Sequence, residues 1–180
     1  MRITAQAKAE TLERLLDVAR ARLSQSPELV TREVAREAGV AHGTLFNYFP
    51  TKESLVRAVC ERELAAAAEA FEAERRPGTE LEEELFALVM AGLRRLAPFR
   101  AAVGDLFAEV PQAHADPARR LIAAHRGADA AAPIALHIYG SLYLGLLAWW
   151  SADASPKQEA TLAVLDRTLA MFVRSLEAPA

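Results

Sequence analysis

Apolar residues recur along this chain at intervals of three and four, the spacing of helices that each bury one face. From Thr4 to Leu23 the stripe is Leu12, Leu15, Leu16, Ala19 and Leu23, predicting a first helix over residues 4–23. Ser24-Gln25-Ser26-Pro27 breaks it. Thr31 suits the N-cap of a short second helix in which Val34, Ala35 and Ala38 share a face. Gly39 falls where that helix must stop and the backbone needs a positive φ. A third short helix is expected from Ala41 to Tyr48, with Val40 and Leu45 plugging the angle between the two. Thr51 can cap a long fourth helix, Lys52 to about Arg75, which carries Leu55, Val59, Leu64, an alanine-rich tract and Phe71. Arg76-Pro77-Gly78 ends it.

The remainder predicts more helices. Thr79-Glu80-Leu81-Glu82 has the form of a capping box, opening a helix to about Ala97 with Leu81, Leu85, Leu88, Val89, Leu93 and Leu96 on one stripe. Pro98 divides it from a shorter helix with Val103, Leu106 and Phe107, ending near Pro111. Asp116-Pro117 reads as the cap of another, through Leu121 and Ile122, and Gly127 to Ala132 as a connector. Ile134 to Trp150 is the most hydrophobic segment; its seventeen residues fall short of a membrane span, which needs about 20. A helix apolar all round is expected to be buried on both sides. Ser155-Pro156-Lys157-Gln158 then offers an N-cap, an N1 proline and a capping-box glutamine to a last helix with Leu162, Leu165, Leu169, Phe172, Val173 and Leu176.

The stretch from Thr31 to Val56 has the geometry of a helix-turn-helix. Eight residues at 1.5 Å each make a rod about 12 Å long, the width of a DNA major groove. The bare pattern also suits two helices of an ordinary bundle. What separates the two readings is the corner Phe46, Tyr48, Phe49 and Pro50, set directly before Thr51-Lys52-Glu53. A helix start with a lysine offers N–H groups and charge to a phosphate.

At these residues the chain resembles the tetracycline-repressor (TetR) family of bacterial transcriptional regulators. The run from Ala35 through Leu55, AxxAGVxxGTLFxYFxxKExL, is similar to that family's signature, and the resemblance is sharp over about Leu12 to Val59. It implies an all-α chain: a three-helix helix-turn-helix head over residues 1–56, then a helical ligand-binding and dimerisation domain over 57–180. It implies DNA contacts at matching positions. Arg32, His42, Gly43 and Asn47 fall at base-edge positions, and Thr31, Thr44, Tyr48 and Lys52 at phosphate positions. The chain departs from the family at Val30, where a threonine is usual, at Ala41, usually serine, and at Phe46, usually tyrosine. The implied partners are a palindromic double-stranded operator and a second copy of the chain, whose last two helices meet their counterparts in a four-helix bundle. Ser141, Gly145 and Ala148 would permit close approach across that seam. An effector site is also implied, with Phe86, Phe99, Phe107, His137, Tyr139, Tyr143, Trp149 and Trp150 as candidates for an apolar or aromatic small molecule. The same residues also suit an ordinary core, and sequence does not separate the two.

Charge sharpens the division. Net charge is -3, but residues 1–60 hold nine Lys/Arg against seven acids, while the rest hold twelve against seventeen. A weakly basic head on an acidic body fits a DNA reader joined to a domain with another task. The recognition helix has neither lysine nor arginine, so affinity must lean on Lys52, Arg32, backbone N–H groups and dimerisation. One cysteine, Cys60, excludes an intrachain disulfide and a cysteine-based zinc site. His42, His114, His125 and His137 lack metal-cluster spacing, and no nucleophile elbow, P-loop or dinucleotide glycine run is present, so neither metal, cofactor nor enzymatic activity is expected. Met1 to Lys8 has no apolar signal core, implying a cytoplasmic address without a membrane. The competing function is a helical protein-interaction or ligand-carrying module whose head no longer reads DNA.

Overall fold

The computed structural model describes residues 4–26, 28–104, 106–127 and 133–176, and regular structure among them is helical throughout. In order these are α1 (Ala5–Leu23), α2 (Thr31–Glu37), α3 (His42–Tyr48), α4 (Lys52–Glu74), α5 (Leu81–Leu96), α6 (Arg100–Val103), α7 (Gln112–Arg126), α8 (Pro133–Ala152) and α9 (Glu159–Ser175). The chain divides into two compact units, Met1–Cys60 and Glu61–Ala180. The division lies inside α4, four residues later than the sequence placed it. Leu55, Val56, Val59 and Cys60, in the first turns of that helix, are all buried and belong to the first unit.

In the first unit α1 packs on α2 and α2 on α3. Thr4 caps α1, accepting the Ala7 N–H at 3.2 Å. Arg22 fastens α1 to α2 by pairing with Glu33 and Glu37, and its bonds hold the Glu37 carboxyl below the ordinary range. Thr31 is the first helical residue of α2 rather than its cap; Val30 occupies the cap position and has no side-chain acceptor to offer. The turn after α2 closes through Val40 N–H to Ala35 C=O (2.9 Å) and Gly39 N–H to Arg36 C=O (3.2 Å). This paired closure needs a left-handed residue, and Gly39 sits at φ +71°. Thr51 does cap α4, in a reciprocal pair with Ser54: each hydroxyl accepts the other's backbone N–H, at 3.0 and 3.1 Å.

In the second unit α5 packs on α7 and α9, and α8 on α6 and α9. Several helix starts differ from the sequence reading. Thr79 donates back to Arg76 C=O at 3.0 Å, so Glu80 stands at the α5 cap position without a side-chain cap. Beyond α5 the chain makes one 3₁₀ turn at Ala97–Phe99 and the short α6, which ends before Leu106 and Phe107. α7 begins at Gln112 and runs through Pro117, which lies inside the helix and removes the N–H that would otherwise bond the Ala113 carbonyl. Asp116 accepts from Gln112 Nε2 instead of capping. The connector expected at Gly127 to Ala132 begins with Gly127; residues 128–132 lie outside those described.

The start of α9 is the largest departure. Asp153, eight residues before Thr161, accepts from Thr161 N–H (2.9 Å) and Oγ1–H (2.6 Å) and from Ser155 N–H (2.8 Å). These donors hold its carboxyl well below the usual carboxylate range. Ser155 Oγ accepts Ala160 N–H at 3.0 Å. Gln158 makes no capping box; in a left-handed conformation it accepts the Trp150 indole N–H at 2.8 Å. Helix α8 is 20 residues long, so length does not argue against a membrane span as the sequence count did. Nor is it buried all round: Ile134 and Trp149 are 76% and 52% exposed. Two of its ring groups bond within the fold, Trp150 donating its indole N–H to Gln158 and Tyr139 Oη pairing with His114.

Glu84 ties three helices. Its side chain is 4% exposed and receives Arg75, from the end of α4, at 2.6 and 3.0 Å, and His125 Nε2, from α7, at 2.7 Å. Burial pushes the Glu84 carboxyl up, yet the bonds from Arg75 and His125 outweigh it and leave it below the ordinary value. Its contribution to stability is therefore complete above pH 4.5, the ordinary value, and drains away as pH falls through the lower folded one. Arg75→Ala is expected to cost about 2–4 kcal/mol at pH 7, the lower side of a broken buried pair because Arg75 is one-third exposed. The deficit should shrink when urea unfolding is repeated at acid pH; an equal deficit at both would contradict the role assigned to Glu84. At Gly39 no atom lies within 4 Å of an added Cβ, so only backbone strain opposes substitution. Gly39→Ala should destabilise the first unit by about 1 kcal/mol and Gly39→Asn by less, as read by hydrogen exchange of α2 and α3 amides.

Candidate nucleic-acid interface

Seven residues form α3, too few to persist alone in water. The helix is anchored by Leu45, which is fully buried, and closed by Phe49 N–H bonding Leu45 C=O at 2.9 Å. With Leu45 turned inward, the outer surface falls to the residues around it. Gly43, Phe46 and Asn47 are exposed, and His42, Thr44 and Tyr48 half-buried. Gly43 has open space where a Cβ would stand, and Asn47 lies one helical turn beyond it. Arg32 on α2 and Lys52 at the start of α4 are also exposed, and Thr31 is half-buried. The eight residues singled out from sequence thus all belong to the first unit, none of them in its buried core.

Two of them meet. Thr31 Oγ1 and His42 Nε2 lie 3.1 Å apart and share a hydrogen bond whose direction follows the histidine tautomer. The His42 ring also stands edge-on to Phe46, centroids 4.9 Å apart at 71°. Sequence reading treated Thr31 and His42 as separate contacts. In the fold they form one unit that fixes the first turn of α3 against α2, leaving His42 Nδ1 for a further partner. The arrangement can present an amide (Asn47), a guanidinium (Arg32), an ammonium (Lys52) and hydroxyls (Thr44, Tyr48) to an elongated polar surface.

The effector-pocket candidates of the second unit do not gather around one space. Phe99, Tyr139, Tyr143 and Trp150 are buried, Phe86 and Phe107 half-buried, His137 and Trp149 exposed. Tyr139 and Tyr143 belong to a packed aromatic cluster that sequence reading did not assemble. The His114 ring stacks on Tyr143 at 3.7 Å, and its Nε2 hydrogen-bonds Tyr139 Oη at 2.9 Å. Burial pushes His114 down to about 3, so it is neutral at ordinary pH. The space beside these tyrosines is about 10 Å³, room for at most one water and not for a ligand. A cavity of about 440 Å³ opens elsewhere, between α4 and α5, on Ala67, Ala70, Phe71, Ala87 and Ala91. The signal for it was the alanine-rich tract itself, since facing alanines leave the volume that larger side chains would fill. Among the described residues no three His, Cys, Asp or Glu side chains are grouped to hold a metal ion.

Residues 15–59 match the family model described as bacterial regulatory proteins, tetR family. No curated protein matches the chain. Solved structures resemble it over nearly its full length. A TetR transcriptional regulator from Rhodococcus sp. RHA1 superposes with a TM-score of 0.67 at 17% identity, covering 92% of this chain and 97% of the other. A candidate transcriptional regulator from Streptomyces coelicolor A3(2) gives 0.65 at 20% identity, covering 93% and 98%. A tetR-family transcriptional regulator from Streptomyces coelicolor gives 0.55 at 20% identity, covering 93% and 88%. At such identities the structures speak for the fold alone. Residues 15–59 thus carry a head that matches the tetR family model, and the chain as a whole has the all-helical fold of these regulator structures.

Proposed function

We propose that the protein is a cytoplasmic repressor that binds a palindromic operator as a homodimer and is released by a small-molecule effector. The observation that carries the DNA reading is the outward face of α3, with Leu45 fully buried behind it and Gly43 and Asn47 exposed. Asn47 takes adenine through its paired donor and acceptor, and Arg32 takes guanine. His42, braced by Thr31, adds a base-edge contact, and Gly43 lets the duplex come close. Thr44, Tyr48 and Lys52 fix register on phosphates.

A second copy is favoured by an unpartnered stripe on α8. Ile134, Ile138, Ser141, Gly145 and Trp149, spaced at three and four, are all exposed, and Met171 on α9 is 59% exposed. A stripe of this kind on a soluble chain marks an association face. Two-fold pairing would bring two α3 helices to one duplex, about 34–36 Å apart or a multiple of that. Helix α4 is continuous across the division at Cys60 and is the element through which an effector would act on the head.

Binding of the purified protein to palindromes upstream of its own gene, titrated against salt, tests the core of this reading. Absence of any salt-dependent duplex binding would favour the interaction-module alternative instead. Asn47→Ala should lower specific affinity by about 1–3 kcal/mol per subunit, leaving non-specific binding intact; unchanged operator affinity would remove Asn47 from the interface. Trp149→Glu should weaken self-association at least tenfold in sedimentation equilibrium, and a dimer indifferent to it must use another face.

A further inference from the structure

Resting on the effector reading of the proposed function, we infer that the trough between α4 and α5 binds a medium-chain monocarboxylate, an apolar chain with one anionic head. The two helices run antiparallel, as three contacts along them establish. Arg75 meets Glu84 at 2.6 Å near the connecting turn, Leu64 lies 3.0 Å from where a Gly92 Cβ would stand, and Glu63 meets Arg95 at 3.5 Å at the far end. Between these points Ala67, Ala70, Ala87 and Ala91 face one another over Phe71 and leave about 440 Å³, within the range of small-molecule sites. The eleven-residue rise from Glu84 to Arg95 makes the trough about 16 Å long, a shape for an extended chain.

Charge gives the trough a direction. Glu74, Glu83 and Glu84 lie at the turn end, against Arg75 and Arg76, whereas the charged lining residues at the far end are Arg94 and Arg95. Arg95 is tied to the buried Glu63, and Arg94 pairs with no acid among the described residues. A guanidinium so placed can take a carboxylate through two parallel N–H bonds. The net negative turn end repels a second anion, which selects a monoacid over a diacid. The apolar chain then covers the alanines and Phe71, excluding water from them.

Decanoate and its neutral counterpart decanol, titrated calorimetrically into the full-length protein, test this. Decanoate should bind saturably and at least tenfold more tightly than decanol. Arg94→Gln, an exposed position that leaves the core intact, should remove that tenfold preference without changing decanol binding. Ala87→Phe should fill the trough and abolish both, with melting temperature and helical circular dichroism as the control for folding. No saturable decanoate binding, equal affinity for acid and alcohol, or indifference to Arg94→Gln would each overturn the assignment. Operator release is scored separately: decanoate bound through Arg94 with no release supports a monocarboxylate as the trough's ligand while contradicting the effector reading.

Discussion

A seven-residue helix has no stability of its own in water, and both α2 and α3 are that short. Their existence depends on burying Val34, Ala35 and Leu45 together, each at most 1% exposed. The Gly39 turn sets the angle at which that burial is possible, because only a left-handed residue lets the Ala35 and Arg36 carbonyls both be satisfied as the chain reverses. Every polar group offered on α3 therefore takes its position from one apolar plug and one glycine. The Thr31–His42 bond and the Arg22 pairs with Glu33 and Glu37 refine the orientation but rest on exposed or half-exposed groups, where such bonds contribute modestly.

The second unit uses buried polar groups instead. Glu84 joins the end of α4, α5 and α7 at one carboxylate, and Asp153 holds the start of α9. Arg100 performs a similar task at the end of α8, donating to the Trp150 and Asp153 carbonyls. Each is a charged group satisfied by several partners, the condition under which burial is tolerated. These clusters fix helix ends, leaving the helix faces to apolar packing. Along α4 and α5 that packing is interrupted by alanines, and there the interior opens.

Periodicity revealed the helices because one-face burial leaves its mark at every third and fourth residue. It also gave the head, since Gly39, Leu45 and the Phe46-to-Pro50 corner are local requirements of a tight reversal. Caps were less legible. Thr79 and Gln158 have the right identity and spacing, yet Thr79 turns back to Arg76 and Gln158 is claimed by Trp150, eight positions earlier. Ser155 does accept a first-turn N–H of α9, that of Ala160, but the next is taken by Asp153, beyond the span that a four-residue capping pattern can describe. An aromatic list could not distinguish a pocket from a core, because the outcome turned on His114, which stacks on Tyr143 and bonds Tyr139 from another helix.

By itself, then, the sequence determined what local sterics and helical period can encode: helices, the left-handed turn at Gly39, the buried Leu45 and the polar character of the surface around it. Only the tertiary structure decided which polar groups pair across helices, that α8 keeps an exposed apolar stripe, and that open space lies on alanines rather than among tyrosines. The reason is physical. Hydrogen bonds between helices and the volume left between them depend on distances that no spacing along a single chain specifies.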